Sequence, residues 1–215
     1  NQLSGWWFEQ LGDVVNNHMI SMPDPNVMIT HEAAPLPVEV IVRGYITGST
    51  STSLWTLYEA GVERPYGLDL PEGLVKNSKL PTPVITPTTK AEVGEHDERL
   101  TSAEVLERGL VEPELWAQVQ RVALDIFAAG QAAAQKAGLI LVDTKYEFGM
   151  INGQLSLIDE VHTPDSSRYW IADTYAEAMS SGNAPNQFDK EHLRLWLKAR
   201  GYNGDGPAPT LTDEI

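Results

Sequence analysis

Val142-Asp143-Thr144-Lys145-Tyr146-Glu147-Phe148-Gly149, followed further along by Ile158-Asp159-Glu160-Val161-His162-Thr163-Pro164-Asp165-Ser166-Ser167-Arg168, is the stretch on which the fold turns. It sets five acids and two bases among strand-forming apolar residues. Successive side chains of an extended strand point to opposite faces, so Asp143, Lys145 and Glu147 share one face while Thr144, Tyr146 and Phe148 share the other. A charged row backed by core-like residues, beside a second acidic strand, suits a metal and phosphate site better than a solvated edge. The plainer alternative is a salt-bridged surface sheet.

Asn152-Gly153 between the two strands is a hairpin turn signal. Glu147 and Asp159 are the pair best suited to a divalent cation, because hard cations take carboxylate oxygens and leave other positions to water and phosphate. Register sets a condition. With a strict two-residue loop, residue numbers across the hairpin sum to 305, which puts Tyr146 opposite Asp159 and Glu147 on the other face. A bulge or an odd loop shifts the sum to 306 and sets Glu147 opposite Asp159. A shared metal therefore predicts an extra residue in this hairpin.

Outward from that hairpin, Leu139 to Val142 enters the charged strand and Leu155 to Val161 is the return strand. Upstream, Pro113 opens a long helix whose Trp116, Val119, Ala123, Ile126, Gly130 and Ala134 repeat at helical spacing up to Gly138 and face the sheet. Thr101-Ser102-Ala103-Glu104 is a capping box for a short helix closed by Gly109. Val38 to Ile46 reads as a buried β-branched strand, and Val27 to Thr30 as another. Residues 2–11 read as an amphipathic helix, Ser21 to Pro25 as a loop, and His31 to Pro37 as a connector. Thr47 to Pro87 is expected to be irregular apart from a helical patch at Leu54 to Glu59. Asp189 caps a last helix running to about Arg200, with Gly201 as its stop and Leu193, Trp196 and Leu197 as its buried stripe. The tail from Tyr202 is loop.

The chain of 215 residues is long enough to bury a core without staples, and it has no cysteine, which removes thiol chemistry and fits a reducing compartment, the cytosol by default. No apolar run is long enough to span a membrane, and the start Asn1 to Trp7 does not read as a signal peptide, so membrane insertion and secretion are not expected. Thirty acidic against fifteen basic residues, a formal charge of -15, argue against a nucleic-acid partner. Small anions are still accessible to a local cluster of Arg, Lys and backbone N–H groups. The chain lacks an initiator Met and is expected to be a fragment whose N-terminus lies upstream.

Two further segments carry anion-binding character. Arg43-Gly44 at a strand end precedes Thr47-Gly48-Ser49-Thr50-Ser51, where glycines and small hydroxyls let backbone N–H groups approach a phosphate, although an ordinary turn reads the same way. Thr163 to Arg168 has similar character, or is a turn capping the next element. Thr86 to Glu92 and Gly94 to Glu98 place Lys90 and His96 among acids, which is also what a solvated charge run looks like. His18, His31, His162 and His192 have no metal-ligand spacing and are assigned no function.

Taken in order, Val42-Arg43-Gly44-Tyr45, Thr47-Gly48-Ser49, Leu70-Pro71-Glu72-Gly73-Leu74, Thr86-Pro87-Thr88-Thr89-Lys90-Ala91-Glu92, Gly94-Glu95-His96-Asp97-Glu98, Asp143 to Gly149 and Asp159 to Arg168 together resemble the SAICAR synthetase family of purine biosynthesis, from about Gln2 to Trp196. The resemblance implies an α+β, two-lobe ATP-binding fold with an antiparallel sheet flanked by helices. It implies that residues 1–33 are the remainder of an N-terminal lobe that is largely missing, with its hinge near His31 to Ala34, and that 34–215 form the larger substrate-binding and Mg²⁺-binding lobe. The resemblance also implies that the family's closing C-terminal helix is missing after Ile215.

The implied reaction is ATP-dependent ligation of L-aspartate to carboxyaminoimidazole ribotide through an acyl phosphate, with Mg²⁺. By resemblance, Arg43, Ser49, Ser167 and Arg168 bind the ribotide, Arg43, Ser49 and Arg168 at its phosphate. Lys90 approaches the ATP phosphates, and Glu147 and Asp159 hold Mg²⁺ at the nucleotide. Lys145, Asp165, His96 and Asp97 line the reacting centre. The competing readings are a catalytically silent nucleotide- or ribotide-binding fragment and a kinase-like phosphotransferase, for which no base aimed at an acceptor hydroxyl stands out.

Overall fold

In a computed structural model the chain is described at all residues except 51, 91–97, 203–205 and 213–215. Its elements are α1 (Gln2–Gln10), β1 (Asn16–Asn17), β2 (Met19–Asp24), β3 (Val27–Thr30), β4 (Ala34–Pro35), β5 (Val38–Tyr45), α2 (Leu54–Glu59), β6 (Lys79–Thr89), α3 (Ser102–Glu107), α4 (Pro113–Lys136), β7 (Leu139–Ile151), β8 (Gln154–Ile158), β9 (Ser167–Ile171), α5 (Ala172–Ser181) and α6 (Lys190–Ala199).

β7 is the spine. Its thirteen residues pair with β5, β8 and β9, and the main sheet runs β1-β8-β7-β5-β6, with β4 and β9 also on β7. The apolar residues of its even positions explain why it sits centrally: Thr144, Tyr146 and Phe148 are buried, as are Val38, Val40 and Val42 of β5. These close against Trp116, Val119, Ala123, Ile126 and Phe127 of α4 and against Trp7, Phe8 and Leu11 of α1 in one core. Pro113 starts α4, and Gly138, at φ 72°, ends it. Gly130 on α4 must be glycine, since a Cβ there would lie 2.4 Å from His162 Cε1. The class is α+β, but the sheet is mixed rather than wholly antiparallel, because β1 runs parallel to β8.

Several sequence expectations change. The Ser21 to Pro25 loop is instead most of β2, which pairs with β3 as a separate ribbon that shifts register twice around Met19, Ser21 and Asp24 and so accommodates Pro23. The stretch from Thr47 to Pro87, expected to be irregular, holds most of the eleven-residue β6. Its three prolines, Pro81, Pro83 and Pro87, all occupy odd positions. The Pro87 carbonyl accepts from Leu100 N–H, so at Pro87 the backbone faces away from β5 and its missing N–H costs no sheet bond, while Pro81 and Pro83 fall in the register shift between the Arg43–Val84 and Tyr45–Lys79 pairs. Thr163 to Arg168 leads into β9 and α5, which the sequence reading left undrawn. Asp189 does cap α6, accepting from Glu191 N–H at 2.7 Å, but Leu193, Trp196 and Leu197 are half-buried, not buried. Among the described residues, no helix is long and apolar enough to cross a membrane.

Candidate functional site

The charged face of the sheet is built by register. Arg43 of β5 lies opposite Asp143 of β7, and Asp143 lies opposite Arg168 of β9, so three strands set two guanidinium groups around one carboxylate. Asp143 Oδ2 accepts from Arg43 Nη1 at 3.2 Å and from Arg168 Nη1 at 3.0 Å. Arg43 Nε donates to Thr86 Oγ1 at 2.8 Å. One carboxylate does not saturate two five-donor forks, so this end of the row retains N–H groups that an anion can accept from, with Asp189 also close to Arg168.

Two residues along β7 the balance reverses. Lys145 Nζ donates to Glu39 Oε1 and Glu147 Oε1, both at 2.8 Å, and Lys90 Nζ donates to Glu147 Oε2 at 2.5 Å. Burial alone would lower the Lys145 pKa, but hydrogen bonds and charge from Glu147 and Glu39 win and hold it well above its ordinary value, so the ammonium stays charged. Burial pushes Glu147 up, yet Lys145 and Lys90 together hold it below the usual carboxylate range. Asp159 goes the other way: burial and the neighbouring Glu147 charge raise it.

That proximity is reached without the extra hairpin residue. Ile151 pairs with Gln154, Met150 with Leu155 and Glu147 with Ile158, the strict two-residue register with no shift, and Asn152 and Gly153 have φ of 51° and 79°, as a type I′ turn requires. β8 stops at Ile158, short of the expected Val161. Asp159 follows it in the left-handed region at φ 64°, which turns the chain out of the alternation and brings its carboxylate beside Glu147. A backbone turn after the strand does what a bulge within it was expected to do.

The remaining predicted residues surround two cavities that meet at Arg168. One, of about 290 Å³, is lined by Asp143, Lys145, Asp165, Ser167 and Arg168 together with α6. The other, of about 150 Å³, is lined by Gly48, Ser49, Lys76 and Arg168 among others. Gly48 has φ 107°, and a Cβ there would sit 2.4 Å from Ser53 Cβ, so the Ser49 loop needs this glycine. Ser167 is buried, with its Oγ 2.8 Å from Thr144 Oγ1. Asp165 is held by Lys190 at 2.7 Å, and that hydrogen bond lowers its pKa. His96 and Asp97 lie outside the described residues.

Glu39 was missed because its strand reads as apolar, although the period-two spacing Glu39, Ile41, Arg43 is itself the signal for a second charged row. Lys190, Glu191 and Arg194 of α6 also line the larger cavity, and only the tertiary fold brings them there.

Glu147 and Asp159 fit a Mg²⁺ ion. Among the described residues no three carboxylate or imidazole groups converge, but Mg²⁺ is typically held by one or two carboxylates with water and substrate phosphates completing its shell. Two adjacent acids, one with its pKa raised by the other, are a donor set that a cation would relieve.

A cleft where arginine and lysine side chains stand among carboxylates, continuous with a carboxylate pair on one β-sheet face, is an arrangement suited to an enzyme that handles phosphorylated substrates. Comparison with known proteins gives the family. The model of SAICAR synthetase matches residues 1–209. A Mesorhizobium japonicum protein is 51% identical over 215 residues, which is 100% of this chain and 69% of that one. The phosphoribosylaminoimidazole-succinocarboxamide synthase of Legionella pneumophila strain Lens is 50% identical over 198 residues, 92% of this chain and 63% of that one. The structure of SAICAR synthase from Saccharomyces cerevisiae complexed with SAICAR superposes with a TM-score of 0.79 at 31% identity, covering 98% of this chain and 73% of that one. The chain belongs to the SAICAR synthetase family, and so to the ATP-dependent carbon–nitrogen ligases.

Proposed function

We propose that this chain carries the substrate face of an enzyme that joins L-aspartate to carboxyaminoimidazole ribotide at the expense of ATP in purine biosynthesis. The observation that carries this reading is the continuity of Arg43, Asp143 and Arg168 with Lys145, Glu147 and Asp159 along one face. A substrate with a phosphate at one end and a carboxylate to be activated at the other needs those two environments side by side.

In this reading Arg43, Ser49 and Arg168 hold the ribotide phosphate, with Ser167 beneath. A ribotide carboxylate oxygen attacks the γ-phosphorus of ATP and ADP departs. The aspartate nitrogen then attacks the acyl carbon, phosphate leaves with the C–O bonding pair, and the amine gives up a proton. Lys145 is fully protonated and serves as a donor to developing negative charge, not as a base. Lys90, which donates to Glu147, would meet the ATP phosphates. Glu147 and Asp159 would hold Mg²⁺, whose contribution when bound is to neutralise phosphate charge. Asp165 orients groups beside Ser167 and Arg168, and His96 and Asp97 border the ribotide and aspartate. Residues 1–33 are read as belonging to an ATP-binding lobe and its hinge, with the larger lobe following. The absence of cysteine supports a cytoplasmic setting.

The test is ADP release by the full parent protein. Release that requires ribotide and L-aspartate together supports the reading, whereas ATP turnover indifferent to both would overturn it.

A further inference from the structure

Lys76 belongs to none of the motifs that point to the family, yet the fold brings it to the cavity lined by Ser49 and Arg168. Its place is set by the residue after it. Asn77 is 7% exposed and stands at φ 70°, the left-handed region that asparagine enters more readily than most side chains.

Three segments converge on Asn77. Its N–H donates to the Ile46 carbonyl at 2.7 Å, and its side-chain oxygen accepts from the Thr47 hydroxyl, also at 2.7 Å, which ties it to the chain just before Ser49. Its carbonyl accepts from the Tyr175 hydroxyl at 2.8 Å, and Tyr175 lies on α5, which continues directly from β9 and Arg168. Ser78 closes the turn: its carbonyl accepts from Ile46 N–H at 2.9 Å, and its hydroxyl accepts from Val75 N–H at 3.1 Å. The turn that carries Lys76 is therefore fixed relative to both Ser49 and Arg168.

Charge gives the lysine a role there. A phosphate monoester carries nearly two negative charges at neutral pH. Arg43 and Arg168 divide theirs with Asp143, and Arg168 also has Asp189 nearby. Glu191, the carboxylate on the wall of this cavity, lies 3.5 Å from Arg194. Among the described residues no ion pair engages Lys76. A lysine without a partner is ordinary on an open surface. This one borders a concave site of about 150 Å³ whose other walls include the Ser49 loop and Arg168.

We infer that Lys76 is a further binding residue for the substrate's phosphate: its ammonium meets the group that Ser49 and Arg168 hold, and adds a cation to the shared arginines. This rests on the assignment of Ser49 and Arg168 to the ribotide phosphate. A lysine suits the place because a compact ammonium on a flexible stem can follow a phosphate without needing a fixed fork geometry.

The experiment measures binding of carboxyaminoimidazole ribotide, and of the matching riboside without its phosphate, to the full parent protein. Lys76→Met keeps an unbranched apolar stem and removes the charge. Ribotide affinity should fall about tenfold, near the low end for a hydrogen bond to a charged group, while riboside and ATP affinities change by less than about twofold. Unchanged ribotide affinity would overturn the inference. Equal losses for ribotide and riboside would do the same, because the lysine would then act on the sugar or on the fold and not on the phosphate. If the unmutated protein bound ribotide and riboside equally well, the assignment of Ser49 and Arg168 would fall together with this one, and that outcome is told apart from a failure of Lys76 alone.

Discussion

The two ends of the charged row on β7 are four residues apart and have opposite balances. At the Asp143 end two arginines share a single carboxylate. At the Glu147 end Lys145 pairs with Glu39 and Glu147, Lys90 pairs with Glu147, and Asp159 lies beside Glu147. Strand rise separates Asp143 from Glu147 by about 13 Å, roughly the length of a ribotide monophosphate. On the proposed assignment the contrast is how an acidic protein would handle anions: guanidinium donors where phosphate would bind and carboxylates where a cation would sit, both largely buried so that solvent does not level them. Each end can be broken without the other.

The largest effect is expected at the carboxylate end. Glu147→Gln and Asp159→Asn should each lower Mg²⁺-dependent turnover by about 10²–10³, the scale seen when one preorganised charge at a reacting centre is removed. ADP release measures the rate, and circular dichroism should show a native spectrum. Near-normal rates in both variants would remove the metal assignment. At the other end, Arg43→Ala should weaken ribotide binding by about 10- to 100-fold and leave ATP affinity almost unchanged, since one charge-assisted bidentate contact is lost from the phosphate alone. Equal losses for both ligands would mean that the two ends act as one site.

The sequence disclosed each end to a different degree. Period-two alternation around Asp143, Lys145 and Glu147, the Asn152-Gly153 turn, the Thr101 capping box and the Pro113 helix start are local patterns, and all of them stand in the fold. Asp159 meeting Glu147 was anticipated as a pairing but not as a mechanism, because a left-handed residue just past a strand end leaves no period to read. β6 was hidden by its prolines, of which Pro87 faces away from β5 and Pro81 and Pro83 sit in a register shift of an edge strand. Glu39 and the α6 residues lining the larger cavity reach the site through pairing and packing, which composition does not encode.

A smaller effect tests the contrast between the two faces of β7. Behind the charged row, His162 is fully buried, with Nε2 2.6 Å from the Tyr146 hydroxyl, and burial pushes its pKa down to about 3. Its folded pKa lies below the unfolded 6.5, so the unfolded chain takes up the proton first and stability falls as pH drops from about 6.5 towards 3. At pH 5 the loss from this one group is about 2 kcal/mol, an upper estimate. His162→Leu should cost stability at pH 7 by orphaning the Tyr146 hydroxyl, but its unfolding free energy should decline less between pH 7 and 5. Urea titrations at both values decide the matter, and parallel declines in the two proteins would show that the imidazole is not the titrating group.

The smallest effect belongs to the rim. Lys190 Nζ lies 2.7 Å from Asp165 Oδ1, closer than Arg43 lies to Asp143, yet the two side chains are 40% and 69% exposed against 12% and 10% for the arginine pair. If burial and not distance sets the worth of a charge pair, the shorter contact should be the weaker one. Lys190 also sits in the first turn of α6, where the N–H groups at the helix end disfavour a cation. Lys190→Ala should therefore shift the unfolding free energy by no more than about 0.5 kcal/mol in either direction, with 0.5 M NaCl bringing the two proteins closer together. A destabilisation above about 1 kcal/mol would exceed what exposed pairs contribute and would place the Asp165 wall among the structural supports of the cavity.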